Sequence, residues 1–254
     1  MNIPQEIIDI HTHLWSDASG YSTLPENEEQ LLRMADRFNL EKILVMPLYG
    51  GIRPTIDQIR VGNNLAAEYA LKDRRIVPFG RVEAHLENDA LTEAKRCVDQ
   101  LGMRGIKIWI SKADDPKLFQ IVEYMINVGL PIMIHAMHKS TGQYKDESDP
   151  MDVCRLAKHY PDATLIMAHM GGDFIYGCRA IADAPNILTD MSGSYCENGM
   201  VEWAVKTLGA KRVLFGTDAP GASFINNVAK VAAADISEED KRMIFYHNAR
   251  RLLG

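Results

Sequence analysis

Along this chain, short runs of β-branched and apolar residues alternate with stretches whose apolar positions recur every three or four residues. The first run, Ile7-Ile8-Asp9-Ile10-His11-Thr12-His13, reads as a strand and leads into a polar loop, Ser16 to Ser22. Pro25 and the acids Glu26, Glu28 and Glu29 suit a helix N-terminus, with Leu31, Leu32, Met34, Ala35 and Phe38 as its apolar face. Further strands are predicted at 42–46, 76–82, 105–110, 131–135, 163–169, 187–191 and 212–218, each with a loop and an amphipathic helix behind it. Pro78, which has no ladder donor, lies inside the third strand. Asn88 and Asp89 are candidate caps for a helix over 90–101, and Gly102, Gly129 and Gly209 stand where helices end. Several strands are continuous apolar runs, as expected when both faces are covered. Eight such units without a linker predict one α/β domain over 1–254, a (β/α)8 TIM barrel. An open doubly wound sheet is the alternative, but no G-x-G-x-x-G follows the first strand.

A period of two puts His11 and His13 on one side of the first strand and Ile8 and Ile10 on the other. Two neutral imidazoles at the end of a buried strand are ready ligands for a borderline ion such as Zn²⁺. Barrel active sites lie at the C-terminal strand ends. His135, His169 and Asp218 occupy that position on the fifth, sixth and eighth strands. Taken singly, each is explained by a capping carboxylate or a histidine bonded to a carbonyl; together they converge on one mouth. A metal held by His and a carboxylate lowers the pKa of bound water from about 16 towards about 7. Asp218 is then the candidate base and proton carrier, and His169 the donor to an oxygen that becomes anionic. Asp9 is expected to face away and orient rather than ligate.

Arg81, Lys107, Trp109, His138 and Tyr195 are the candidate substrate contacts. Arg81 either holds a carboxylate bidentately or pairs with Glu83, and Trp109 either meets substrate or packs on the rim. Lys107 either reaches an anionic substrate or pairs with Asp190 or Glu83. A formal charge of −6, with no cluster of Lys and Arg, argues against a nucleic-acid partner. The four cysteines lack C-x-x-C spacing and read as reduced thiols of a cytoplasmic protein. Met1 leads almost directly into the first strand, so no signal peptide is expected, and no apolar run approaches the ~20 residues of a membrane span.

The segments Asp9-Ile10-His11-Thr12-His13, Ile134-His135, Ala168-His169-Met170-Gly171-Gly172, Gly216-Thr217-Asp218-Ala219-Pro220 and the tail His247-Asn248-Ala249-Arg250-Arg251-Leu252 resemble the amidohydrolase superfamily. More narrowly they resemble its amidohydrolase-2 branch of metal-dependent hydrolases and decarboxylases. The resemblance implies a distorted barrel with His11, His13, His135 and Asp218 around a divalent metal, zinc first among candidates. His169 would be a further ligand in two-metal members or a substrate-polarising group in one-metal members. Some members carry a carbamylated Lys at the end of strand four; Lys107 is on that strand, but Ile108, Trp109 and Ile110 follow it. A neighbouring family of metal-dependent deoxyribonucleases expects Gly-Glu-Ile-Gly where this chain has Gly105-Ile106-Lys107-Ile108.

The leading expectation is hydrolysis of an amide, lactone or ester in a small molecule. The alternative is non-oxidative decarboxylation of an unsaturated or aromatic carboxylic acid, with Arg81 or Lys107 holding the carboxylate. Decarboxylating relatives tend to be longer, so the compact length tips the reading towards hydrolysis. A barrel that serves as an inactive scaffold is the non-enzymatic reading, and the five retained ligand-type residues speak against it. The expected partner is a small-molecule substrate, and the resemblance leaves room for a homo-oligomer.

Overall fold

The structure, a computed structural model, describes residues 6–17, 19–20 and 24–254. Ala18, Tyr21 and Ser22 of the expected first loop, and residues 1–5 of the expected domain, lie outside the described residues. The strands are β1 (Ile7–Trp15), β2 (Leu40–Leu48), β3 (Ile76–Pro78), β4 (Gly80–Val82), β5 (Ile106–Ile108), β6 (Ile132–Ile134), β7 (Leu165–Met167), β8 (Ile187–Asp190) and β9 (Val213–Leu214). Paired neighbours run parallel, in the orders β1-β2-β3 and β4 through β9. β3 and β4 are halves of one stave, split at Phe79, just after Pro78. Phe79 N bonds back to Val45 O (2.9 Å), while Gly80 N bonds forward to Gly105 O (3.0 Å). At the seam, Ile10 N reaches Phe215 O (3.1 Å) and His13 N reaches Ala219 O (2.8 Å), bringing the first and last staves together.

The α-helices are α1 (Pro25–Arg37), α2 (Ile56–Ala70), α3 (Asn88–Asp99), α4 (Phe119–Asn127), α5 (Pro150–His159), α6 (Phe174–Ala180), α7 (Met200–Leu208), α8 (Phe224–Ala232), α9 (Glu238–Arg242) and α10 (Asn248–Leu253). Thr55 with Gln58, and Asp149 with Asp152, form capping boxes at α2 and α5. The expected caps Asn88 and Asp89 are instead inside α3. Its N-cap is Glu87, at φ 52°, whose side chain caps no helix N–H and instead accepts from Lys117. Ile106, Ile108, Ile132 and Ile134 pack outward against Ile121, Val122 and Leu156 of the helices. The alternate residues Met133, Ile166 and Leu214 join Leu44 and Phe79 inside the barrel. Among the described residues no helix is long and apolar enough to cross a membrane.

The first stave departs from simple alternation. Asp9 pairs with Ile43 and Thr12 with Val45, so three steps along β1 oppose two along β2. This is a β-bulge, which re-aims the side chains beyond it. Before it, Ile8 and Ile10 belong to the interior cluster; after it, His11 and His13 face the interior and Leu14 packs outside. The expectation that Ile8 and Ile10 point away from the histidines is therefore corrected. Asp9 Oδ1 accepts from His11 N (3.1 Å) across the bulge.

Candidate metal centre

Four imidazoles and one carboxylate meet at the C-terminal mouth. His11 Nε2 lies 3.1 Å from His13 Nε2, and His13 Nε2 lies 3.0 Å from Asp218 Oδ1. His169 Nε2 lies 3.2 Å from His135 Nδ1, and the His11 and His169 ring centres are 4.9 Å apart. Each imidazole has an acceptor on its outer nitrogen. His11 Nδ1 donates to Asp190 Oδ2 (2.8 Å), His13 Nδ1 to Met46 O (3.2 Å), His135 Nε2 to Glu147 Oε1 (2.8 Å) and His169 Nδ1 to Ser192 O (3.2 Å). A proton on the outer nitrogen leaves a lone pair on the inner one. The centre thus turns buried lone pairs towards one another and towards a carboxylate, an arrangement that a cation relieves. Ligand atoms of His11, His13 and Asp218 lie within 4.8 Å of each other, a spacing that fits a divalent ion. His11, His169 and Asp190 are as close, but Asp190 is engaged on the far side of His11 as its orienting acceptor.

Electrostatics follow from burial. It pushes the pKa of His11 down to about 3, with Lys107 adding to the effect, and those of His135 and His169 to about 4. For Asp218 burial opposes ionisation, yet the contact with His13 and the neighbouring imidazoles of His169 and His11 hold it well below the usual carboxylate range. Both His169 (φ 60°) and Asp218 (φ 63°) sit on left-handed backbone as the chain leaves its stave. Asp9 is fully buried, accepts from Thr217 Oγ1 (2.6 Å) and Thr217 N (3.1 Å), and burial raises its pKa to about 7. It orients the ends of the first and last staves and contributes no ligand atom.

The candidate substrate contacts separate. Lys107, 1 % exposed, puts Nζ 3.1 Å from His11 Nε2, and burial lowers its pKa to about 8. Arg81, also 1 % exposed, is committed elsewhere. Its Nε donates to Glu83 Oε1 (2.8 Å), Nη1 to Tyr49 O (2.9 Å) and Nη2 to Gly51 O (2.9 Å), with Trp109 4.9 Å away on its face. Of the two readings of Arg81, the pair with Glu83 is the one the structure shows and the carboxylate anchor is set aside: its guanidinium ties the loop after β2 to the rim. Trp109 reaches the centre, with its ring edge-on to His135 at 6.5 Å. His138 and Tyr195 line a cavity of about 520 Å³ with Lys139 and Phe174. His138 Nδ1 donates to Asp149 Oδ2 (2.7 Å) and its ring stacks on Tyr176. Sequence reasoning missed Ser192 and Glu147 altogether and saw Asp190 only as a partner for Lys107. Asp190 ends a stave like the ligands themselves, a signal that was available; Glu147 sits in a loop and carries none.

The amidohydrolase-2 family model matches residues 8–254. The chain belongs to that family. Its amidohydrolase fold is shared by 2,6-dihydroxybenzoate decarboxylase from Rhizobium, at TM-score 0.82 and 18% identity over 98% of this chain and 99% of that one. A dihydroxybenzoic acid decarboxylase from a Polaromonas species, solved with manganese and 2-nitroresorcinol, has TM-score 0.79 and 17% identity over 98% and 96%. The 2-amino-3-carboxymuconate-6-semialdehyde decarboxylase of Dictyostelium discoideum is 21% identical over 234 residues, 76% of this chain. The match spans 65% of that relative's length. The decarboxylase reactions named for these relatives overturn the expectation of hydrolysis.

Proposed function

We propose that this amidohydrolase is a metal-dependent, non-oxidative decarboxylase of an aromatic or unsaturated carboxylic acid. The observation that carries the reading is Lys107: a buried ammonium beside the imidazole cluster gives the mouth a fixed positive charge. A carboxylate substrate gains from that charge, whereas a neutral amide or lactone does not. His11, His13, His135 and Asp218 would hold the ion, with His169 beside it. A divalent ion there supplies Lewis-acid charge for the substrate oxygens. With His11 Nε2 engaged, the Lys107 amine takes the substrate carboxylate as its acceptor. Asp218, ionised at rest, takes up a proton from solvent and passes it to the carbon that carries the carboxylate. The C–C bond to the carboxylate then breaks, its electron pair stays with the substrate, and CO₂ leaves, so neither oxidant nor water is consumed. Trp109 gives the organic part of the acid an aromatic wall.

The donor set, rich in imidazole with one carboxylate, favours zinc; elemental analysis returning manganese, the ion of the Polaromonas relative, reverses that choice. The reaction is tested by incubating metal-loaded protein in D₂O with hydroxybenzoic and unsaturated dicarboxylic acids. The expected product has lost CO₂ and carries deuterium at the vacated carbon. Cleavage of esters, lactones or amides with no CO₂ from any acid sinks the proposal.

A further inference from the structure

Lys230 on α8 is a buried cation, 8 % exposed, that the chemistry above does not use. Its ammonium has three hydrogens and three acceptors: Met191 O (3.0 Å), Gly193 O (3.0 Å) and Asn227 Oδ1 (2.8 Å). Burial lowers its pKa to about 8, which still leaves it protonated at neutral pH. Asn227, itself fully buried, donates to Thr217 O (3.0 Å), the carbonyl just before Asp218, and to Ser223 O (2.9 Å). The segment Met191 to Gly193 leaves β8 and carries Ser192. The Ser192 hydroxyl lies 3.0 Å from His11 Nδ1 and 2.9 Å from His169 Nδ1. Gly193 lies so close that a Cβ there would stand 3.3 Å from His169 Nδ1.

We infer that Lys230, bridged by Asn227, is a positioning residue that fixes from α8 both the segment orienting His11 and His169 and the stave end bearing Asp218. Among the described residues, no other group bonds the two carbonyls that flank Ser192 from the helix layer. The ammonium therefore sets how far Ser192 enters between the two imidazoles. The inference builds on the metal reading of the mouth, but its readouts need no substrate.

The test compares Lys230→Met and Lys230→Arg in the full chain. In metal-free protein, ¹⁵N-histidine NMR reports which ring nitrogen carries the proton. Lys230→Met is expected to move the His11 and His169 signals and spare His13 and His135, whose acceptors Met46 O and Glu147 lie elsewhere. It is also expected to weaken Zn²⁺ and Mn²⁺ binding by roughly tenfold or more, as loss of a ligand's outer partner does. Lys230→Arg, which keeps the charge and the donors, recovers the wild-type signals. Folded Lys230→Met with unchanged imidazole signals and unchanged metal affinity overturns the inference. Should Lys230→Met fail to fold, Asn227→Leu keeps the ammonium and removes the bridge; unchanged signals and affinity there overturn it equally. A wild-type protein that releases no CO₂ refutes the decarboxylase reading alone and leaves these readouts intact.

Discussion

Asp218 and His169 hold left-handed backbone conformations that cost a non-glycine residue on the order of 1–3 kcal/mol, tolerated where the surroundings dictate the aim of the side chain. Asp218→Asn keeps the shape and removes the proton carrier, so turnover should fall by about a hundredfold or more with far-UV circular dichroism unchanged. Lys107→Met should raise KM for the acid about tenfold and change kcat less, because an anchor acts in ground and transition states alike. Steady-state kinetics separates the two. His11, His13, His135, His169 and Asp218 were legible in the sequence because a ligand-type residue at the end of an apolar run is conspicuous. Ser192 and Glu147 were not, since they work through the outer nitrogens of histidines far away in sequence. Arg81 was legible in part: its pair with Glu83 was one of the two readings, whereas its other acceptors, the carbonyls of Tyr49 and Gly51, lie some thirty positions away in sequence.

Among the elements, β1 shows where pattern reading stops. Alternation over Ile8, Ile10, His11 and His13 predicts opposite faces, but the extra residue between Asp9 and Thr12 turns both pairs inward. Nothing in the residue types announces the insertion, because it depends on the register against β2. Asp9 supports the bulge and the seam together, and Asp9→Ala removes its bonds to His11 N, Thr217 N and Thr217 Oγ1. The expected loss is about 1–3 kcal/mol in urea unfolding, accompanied by weaker metal binding in the folded protein. The last stave, expected over 212–218, is regular only at Val213–Leu214. Beyond it Phe215 N turns to Ile244 O and Asp218 N to His11 O, bonds to other elements that no local periodicity encodes.

For the molecule as a whole, the buried imidazoles set how stability responds to acid. His11, His135 and His169 have folded pKa values lowered to about 3, 4 and 4, against about 6.5 in an unfolded chain. The unfolded state takes up protons first, so their contribution is complete above about pH 6.5 and is lost as pH falls towards about 4. Asp9, raised to about 7, works with the opposite sign: its contribution is full below about pH 4 and fades as pH rises to about 7. Three groups outweigh one. The melting temperature of chelator-treated protein should therefore drop on going from pH 6.5 to about 4. A flat profile across that interval would show that the imidazoles are not buried neutral. The eightfold βα order and the barrel it forms were readable in the sequence, while the particular bonds that join its two ends were not.

That joint has a consequence for how the protein is made. Asp9 and Thr217, 208 positions apart, clasp one another where the two ends of the barrel meet, and the prospective ligands flank the clasp. A nascent chain on the ribosome therefore carries His11 and His13 without Asp218 opposite them until its last stave has emerged. On the proposed ligand set the cation is a rivet fastened late, and a product truncated before Asp218 lacks one of the groups proposed to hold it.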